Sequence, residues 1–494
     1  MQESIQNLFQ IKGDLLAVLP ELMLCITLLL VVIADLIFTD RKYLLLSIGI
    51  LGLLLSFNFS INQYIDNKES ISAFSNLIKV DSTAGFWKML FSATSILVVL
   101  MSFAGNIKRL AEYLVLILSI LIGASFLVMS SNLLLMYFSI EVISISSYII
   151  TVFTFDKRSA EAGMKYFLFG AAASATMIYG ISLLFIQCGT LDFTSQQFVD
   201  VLLTADRLSL ILASVLILSG LLFKIAAAPL HIWAPDVYNS APTPVVALFS
   251  VVPKIAGIAI LIKLVLALNL FGQSPVNWMV LLSILSMLTL TVGNFSALWQ
   301  INFKRLMAFS SIAQTGFLLV GLVAFSETGL SNLMFYTVAY ALANIGVFVI
   351  IQFFERNHEM DNVEDYSGLI KHYPVLGVIL LIFLISLTGL PPTVGFTGKL
   401  LIFSALWDSY GYTANNWQLY LILFGLLNTV VSLFYYLKVP FYMIFKSSKM
   451  TIDKSQIKFG IENYLSVILV LAVLILFFKP DWLMGLINNI SFAF

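Results

Sequence analysis

Charged residues make up only 11% of these 494 positions, against about a quarter in an ordinary soluble domain. That scarcity excludes a water-soluble globule. With 60% hydrophobic residues and a mean hydropathy of +1.00, it leaves a polytopic membrane protein. The formal net charge is zero, so there is no basic excess for nucleic acid. Cysteine and histidine are nearly absent, at two and three residues, which gives no haem, iron–sulfur or zinc ligand set. Cys25 and Cys188 lie in or at the end of apolar runs and read as buried small hydrophobes. No GxGxxG opens a helix after a strand, and there is no GxxxxGK[ST]. The Gly395-Phe396-Thr397-Gly398-Lys399 stretch imitates a phosphate loop but lacks the glycine five positions before Gly398 and lies in an apolar helix. No electron carrier is expected to bind this chain. The N-terminus places Glu3 and Asp14 ahead of the first apolar run without a basic n-region, so it is expected to be retained.

What is present is a series of apolar runs, each long enough to span at about 20 residues. They fall near 15–37, 43–62, 83–104, 112–130, 132–154, 164–187, 208–235, 243–268, 277–299, 304–326, 329–354, 374–408, 417–445 and 462–479, about fourteen helices. The seventh and twelfth are too long and too interrupted for plain spans. Pro229 falls within one, and Gly389-Leu390-Pro391-Pro392 within the other, so both read as discontinuous helices. Alternate loops hold Arg41-Lys42, Lys108-Arg109, Lys157-Arg158, Lys304-Arg305, Arg356 with Lys371, and Lys446, Lys449, Lys454 and Lys458. The loops between them hold only Lys68, Lys79 and Arg207. The positive-inside rule then puts both termini outside.

The broken helices sit five apart, and a five-helix unit repeated in tandem is inverted in the membrane. The expected fold is all-α, with two inverted five-helix repeats, helices 4–8 and 9–13, each with one broken helix. The boundaries follow as 1–110 for helices one to three, 111–270 and 271–446 for the repeats, and 447–494 for helix fourteen. The 355–373 segment, rich in charge, reads as a solvated cytoplasmic connector, and the 62–82 loop as a candidate small cap.

Ionisable residues at mid-membrane are rare and mark ion or proton pathways. Glu141, Lys224, Lys254 and Lys399 each lie roughly 13–18 Å from a membrane face at 1.5 Å per helical residue. One such residue is accounted for by snorkelling or a local pair. Four at one depth, two beside helix breaks, point to a relay. Lysine in an apolar site can hold or release a proton near neutrality, so Glu141 and Lys224 read as a switchable pair. Moving one charge against ~180 mV costs ~4 kcal/mol, a swing that burial plus one charge partner supplies. His231, just past the seventh-helix break, fits a relay role or a cap on broken backbone. Lys88, Lys263 and Lys438 lie nearer helix ends and read as snorkelling anchors. Glu21 marks the outer end of helix one, and Asp35 and Asp40 its inner end. Ser139, Ser144, Ser146, Ser147, Ser310 and Ser311 fit close helix packing better than water wires.

Lys224 to Asp236, continuing as Val237-Tyr238-Asn239-Ser240-Ala241-Pro242-Thr243-Pro244-Val245, resembles the helix-seven to helix-eight signature of the antiporter-like membrane subunits of respiratory complex I, NADH:quinone oxidoreductase. The form Pro-Asp-Val-Tyr followed by Ala-Pro-x-Pro-Val is similar to the subunit N (subunit 2) branch. Asn302 to Gln314 and Thr388 to Lys399 agree with it, and the likeness covers nearly the whole chain. Lysine at 399 argues against subunit M, and the lack of a long amphipathic extension after helix fourteen argues against subunit L. The resemblance implies Glu141 as the carboxylate of helix five, Lys224 as its partner, Lys254 as the connecting lysine and Lys399 as the outlet. It implies a proton-translocating, non-redox subunit in a bacterial inner membrane beside neighbouring antiporter-like and small subunits. FMN, iron–sulfur clusters, NADH and quinone would be bound by other subunits. A subunit of a cation/proton antiporter shares the same fold and is the alternative; three lysines and one glutamate at the midplane favour protons over sodium, which prefers oxygen ligands. A purely structural scaffold would not need four buried charges.

Overall fold

Proline and glycine mark the two helix breaks, at Pro229 and at Gly389-Leu390-Pro391-Pro392, while Pro253 and Pro440 lie inside continuous helices. The computed structural model describes residues 11–38, 42–67, 70–105, 107, 109–269, 276–447 and 460–490. Of the residues invoked above, Glu3, Asp40, Arg41, Lys68, Lys108, Lys449, Lys454 and Lys458 lie outside the described residues. Among the described residues thirteen helices are long and apolar enough to cross a membrane, and the two half-helices of helix twelve add a further broken one; in order they are α1 (Leu19–Ile37), α2 (Lys42–Asp66), α3 (Ser82–Ser102), α4 (Leu110–Met129), α5 (Leu133–Thr151), α6 (Lys157–Cys188), the half-helices α7a (Arg207–Lys224) and α7b (Trp233–Ser240), α8 (Thr243–Asn269), α9 (Trp278–Leu298), α10 (Phe303–Val323), α11 (Glu327–His358), the half-helices α12a (Pro374–Thr388) and α12b (Val394–Thr413), α13 (Asn416–Phe445) and α14 (Ile461–Phe478). The expected breaks in helices seven and twelve are present, and the peptide bonds before Pro229 and Pro392 are cis.

The second half of the bundle repeats the first at a constant spacing. Asn132 caps α5 and pairs with Asp192, while Asn302 caps α10 and pairs with Asn362. The Leu133 and Phe303 amides donate to the carbonyls of Leu191 and Asp361, both at 2.9 Å. Asp156 and Ser326 cap two helices of 32 residues, which end on left-handed residues at Gly189 and Glu359. From 132 to 302, from 156 to 326 and from 189 to 359, the spacing is 170 residues. Packing recurs with it. α4 lies on α5 and α8, α5 on α6, and α6 on both halves of helix seven; α9 lies on α10 and α13, α10 on α11, and α11 on both halves of helix twelve. Five crossings separate equivalent helices, so the two copies run in opposite directions.

The repeats meet where α8 packs on α11 and α7b on α10. The apolar span of α10 is buried along its whole length and that of α8 over 94% of it, so a charge in mid-span is shielded from lipid and water by the protein's own helices. α1 to α3 and α14 are fastened around this centre. Lys42 Nζ donates to the carbonyls of Phe103 at 3.2 Å and Gly105 at 3.0 Å, and Gln352 donates to Met101 at 3.0 Å. A salt bridge of 2.9 Å joins Arg356 on α11 to Glu462 on α14.

Two sequence expectations change, and a third, the small cap near 62–82, takes the form of a hairpin in its described residues. Cys25 is exposed on the outside of the bundle, because α1 is peripheral and only about a third of its span is buried; Cys188 is buried as expected. The 355–373 segment is not a freely solvated connector. α11 extends through His358, Glu355 is bonded to Lys304 at 2.9 Å, and two short 3-10 turns bury Val363, Tyr366 and Leu369. The loop before α3 holds a hairpin, β1 (Ile71–Ala73) with β2 (Ile78–Val80), which docks on the α4–α5 turn through Ser131 N–H to the Leu77 carbonyl at 3.1 Å. Two short helices were not expected: Gln196–Thr204, with Phe198 and Leu202 turned inward, and Asp481–Asn488 after α14.

Candidate functional site

Each helix break frees main-chain groups in mid-membrane, and those groups must find partners. In helix seven the Ile225 carbonyl accepts from Thr315 Oγ1 at 3.1 Å, the Ala228 amide donates to Thr289 Oγ1 at 3.1 Å, and Trp233 Nε1 donates to the Phe223 carbonyl at 3.0 Å. Tyr166 stacks on Trp233 with ring centroids 4.2 Å apart, fixing the far side of the break. Lys224 is the last residue of α7a and is buried; its Nζ donates to Ser144 Oγ at 3.1 Å. Glu141 lies one turn before Ser144 on α5, partly buried, and accepts a hydrogen bond from Ser174 of α6. The carboxylate and the ammonium are thus not in direct contact. Each is held by a different serine, Lys224 by Ser144 of α5 and Glu141 by Ser174 of α6.

Lys254, in the middle of α8, is buried and donates to both Oγ and the carbonyl of Ser311, the latter at 3.1 Å. The face of Tyr238 lies 6.0 Å from its Nζ. One residue earlier on α10, Ser310 is hydrogen-bonded to the Tyr436 hydroxyl. One turn later, Gln314 Nε2 donates to the Leu387 carbonyl at 2.9 Å and to Tyr436 at 3.0 Å.

Lys399 completes this line from the other repeat. Its Nζ donates to the carbonyls of Leu387 at 3.2 Å and Thr388 at 2.8 Å, the end of α12a, and lies 4.0 Å from the centroid of Phe317. Gly389 makes this possible. Its φ of +89° disfavours other residues, and a Cβ there would sit 2.6 Å from Lys399 Cδ. Lys254 and Lys399 are therefore both anchored on one polar seam, along α10 and the helix-twelve break.

His231 lies in the helix-seven break, half-buried, and its Nδ1 has no hydrogen-bond partner among the described residues. The structure brings it to neither Lys224 nor Lys254 by a direct hydrogen bond. Two sequence readings are corrected. Ser144, Ser310 and Ser311 do more than permit close packing, since two receive lysines and the third a tyrosine. Lys88 does not snorkel. It is 1% exposed and pairs at 2.9 Å with Glu21, also 1% exposed, while donating to Gln63 Oε1 at 2.9 Å, because helices α1 to α4 close over it. Lys263 bonds to the Val128 carbonyl at 2.6 Å and lies 3.8 Å from Asp81. Lys438 reaches the Gln300 carbonyl at 2.9 Å. Sequence reasoning passed over Gln314 and Tyr436. An amide twelve residues past the Asn302 cap, inside an apolar run, was the available signal. Among the described residues, no three His, Cys, Asp or Glu side chains gather as a metal-binding group.

Comparison with known proteins gives the same frame. A family described as "NADH:quinone oxidoreductase/Mrp antiporter, TM" matches residues 130–432. NADH-quinone oxidoreductase subunit N 2 of Chloroherpeton thalassium is 36% identical over 489 residues, covering 95% of this chain and 93% of the relative. The chloroplastic NAD(P)H-quinone oxidoreductase subunit 2 of Mesostigma viride is 38% identical over 458 residues, covering 91% and 87%. A chain of respiratory complex I from Thermus thermophilus with bound aureothin superposes with a TM-score of 0.79 at 26% identity, over 96% of this chain and 100% of that one.

Proposed function

This chain belongs to the NADH:quinone oxidoreductase/Mrp antiporter membrane family, and from that premise we propose that it is a proton-translocating subunit of complex I, moving protons along Glu141, Lys224, Lys254 and Lys399. The observation that carries the reading is the seam on α10, where two buried lysines from opposite repeats are anchored within one hydrogen-bonded run of side chains and carbonyls. A lysine held by neutral oxygens can pass between charged and uncharged forms without breaking an ion pair. His231 is a further relay group, with a free ring nitrogen at the first break. Sodium transport is the weaker reading. Cations of that kind need a cluster of oxygens, and here the carbonyls freed by the helix-twelve break already hold Lys399.

The chain itself carries no redox group in this reading. FMN, iron–sulfur clusters, NADH and quinone are bound elsewhere in the complex, and neighbouring antiporter-like and small membrane subunits are its partners. It resides in the bacterial inner membrane as a multi-pass protein with both termini outside. That orientation is supported by Lys42, Lys165, Lys304, Arg305 and Arg356, which all bond to elements on one face of the bundle. The decisive test is Lys254→Met in the assembled complex in vesicles, with NADH-driven proton uptake read per NADH oxidised. Uptake is expected to fall at normal assembly, and an unchanged proton-to-electron ratio would overturn the relay.

A further inference from the structure

Gln314 occupies the middle of α10 with 1% of its surface exposed, and its amide is almost fully engaged. Oε1 accepts from the Tyr336 hydroxyl, and Nε2 donates to the Leu387 carbonyl and the Tyr436 hydroxyl. An amide offers two donors and two lone pairs, so a single lone pair is left over. Two of these three partners lead to a lysine. The Leu387 carbonyl also accepts from Lys399, and Tyr436 is bonded to Ser310, whose neighbour Ser311 holds Lys254.

The repeat supplies an independent observation. The spacing that relates Asn132 to Asn302 and Asp156 to Ser326 also relates Ser144 to Gln314. Ser144 is the side chain that receives Lys224. In both copies, one position on the helix following the Asn cap carries a polar group that meets the last turn of a broken half-helix. Packing alone does not explain a glutamine there, because a buried amide must be desolvated and leucine of similar volume would fill the space.

We propose that Gln314, together with Tyr436, is the positioning residue that holds Lys254 and Lys399 in register across the repeat boundary; this rests on the relay reading above. Gln314 itself carries no proton. It fixes the Leu387 carbonyl that receives Lys399 and orients the Tyr436 hydroxyl toward Ser310. Without it, that carbonyl and that hydroxyl turn to other partners, and the two lysines lose their shared reference.

The test compares Gln314→Leu, Gln314→Asn and Tyr436→Phe in the intact complex in vesicles, with Lys254→Met and Lys399→Ala alongside. Assembly is read from native gels and from NADH oxidation with an artificial acceptor, and pumping from NADH-driven proton uptake. Gln314→Leu removes three hydrogen bonds and Tyr436→Phe two, to Gln314 and Ser310, so a fall of about tenfold or more is expected for Gln314→Leu and one of roughly tenfold for Tyr436→Phe. Gln314→Asn keeps the amide and is expected to recover part of the loss, which a packing role would not give, since Asn fills the space less well than Leu. Normal pumping by Gln314→Leu, or no recovery by Gln314→Asn, overturns the proposal. If the two lysine variants also pump normally, the relay reading itself has failed; if they are impaired while Gln314→Leu and Tyr436→Phe are not, only this inference has.

Discussion

Glu141 and Lys224 are each held by a serine hydroxyl and not by each other, so any coupling between them acts without direct contact. Lys224 Nζ is bonded to Ser144 at 3.1 Å, while Glu141 is bonded to Ser174. At an effective dielectric near 20 even a direct pair about 4 Å apart interacts by only ~4 kcal/mol, so the coupling of two charges that do not touch lies below that. Glu141→Gln keeps the side-chain shape and removes that term. Lys224→Met keeps the length and removes its target. Each change alone is expected to lower pumping, and the double change to be little worse than either, because groups acting as one unit are non-additive. Ser144→Ala takes away the hydroxyl that holds Lys224 and is expected to weaken pumping less than either charge deletion. The assay is NADH-driven proton uptake in vesicles, with assembly of the complex checked separately. If both single changes leave pumping intact, or their losses multiply, the two residues are not a coupled pair and the reasoning fails.

Lys399→Ala and Lys399→Arg are both expected to impair pumping, since a guanidinium cannot be deprotonated in a protein; full pumping by the arginine variant would make the residue a fixed charge only. Gly389→Ala places a side chain where φ is +89° and Lys399 passes within 2.6 Å. It is expected to cost ~1–2 kcal/mol in backbone strain and to reduce proton uptake in complexes that still assemble; wild-type uptake would show that the lysine does not need this passage. Glu21→Gln strands a buried ammonium on Lys88 and is expected to cost on the order of 3–5 kcal/mol. Glu21→Gln with Lys88→Met is expected to recover most of that loss, and subunit abundance in the membrane checks the order.

Helix seven and helix twelve were readable as broken because proline removes a backbone donor wherever it stands, and the midplane lysines were readable because charge is rare in an apolar run. The partners of those lysines were not. Ser144 and Ser311 are small residues whose role depends on which neighbouring helix faces them, and the Leu387 and Thr388 carbonyls have no signature in a sequence at all. Lys88 looked like an anchor because its depth along α3 is visible in the chain, while the Glu21 that meets it is 67 positions away on another helix. The repeat was inferred from two broken helices, yet its constant spacing was hidden. Asp156 and Ser326 make the same cap with different side chains, and Gly189 and Glu359 adopt the same left-handed turn with different residues.

The carbonyl end of a half-helix is a fixed pole of partial negative charge. Lys224 is the last residue of α7a, and Lys399, which belongs to α12b, folds back to the last carbonyls of α12a. Lys224 stands at its pole by its place in the chain, with its ammonium turned to Ser144, whereas Lys399 is brought to the α12a carbonyls from the other half-helix. A receptor built from main chain cannot be lost by point substitution, because every residue supplies the same oxygen. What evolution is free to move is the ammonium, which can be delivered from either side of the break so long as the pole stays open. A duplicated, inverted backbone therefore preserves the places where positive charge can rest in the membrane, and leaves open which residue brings it there.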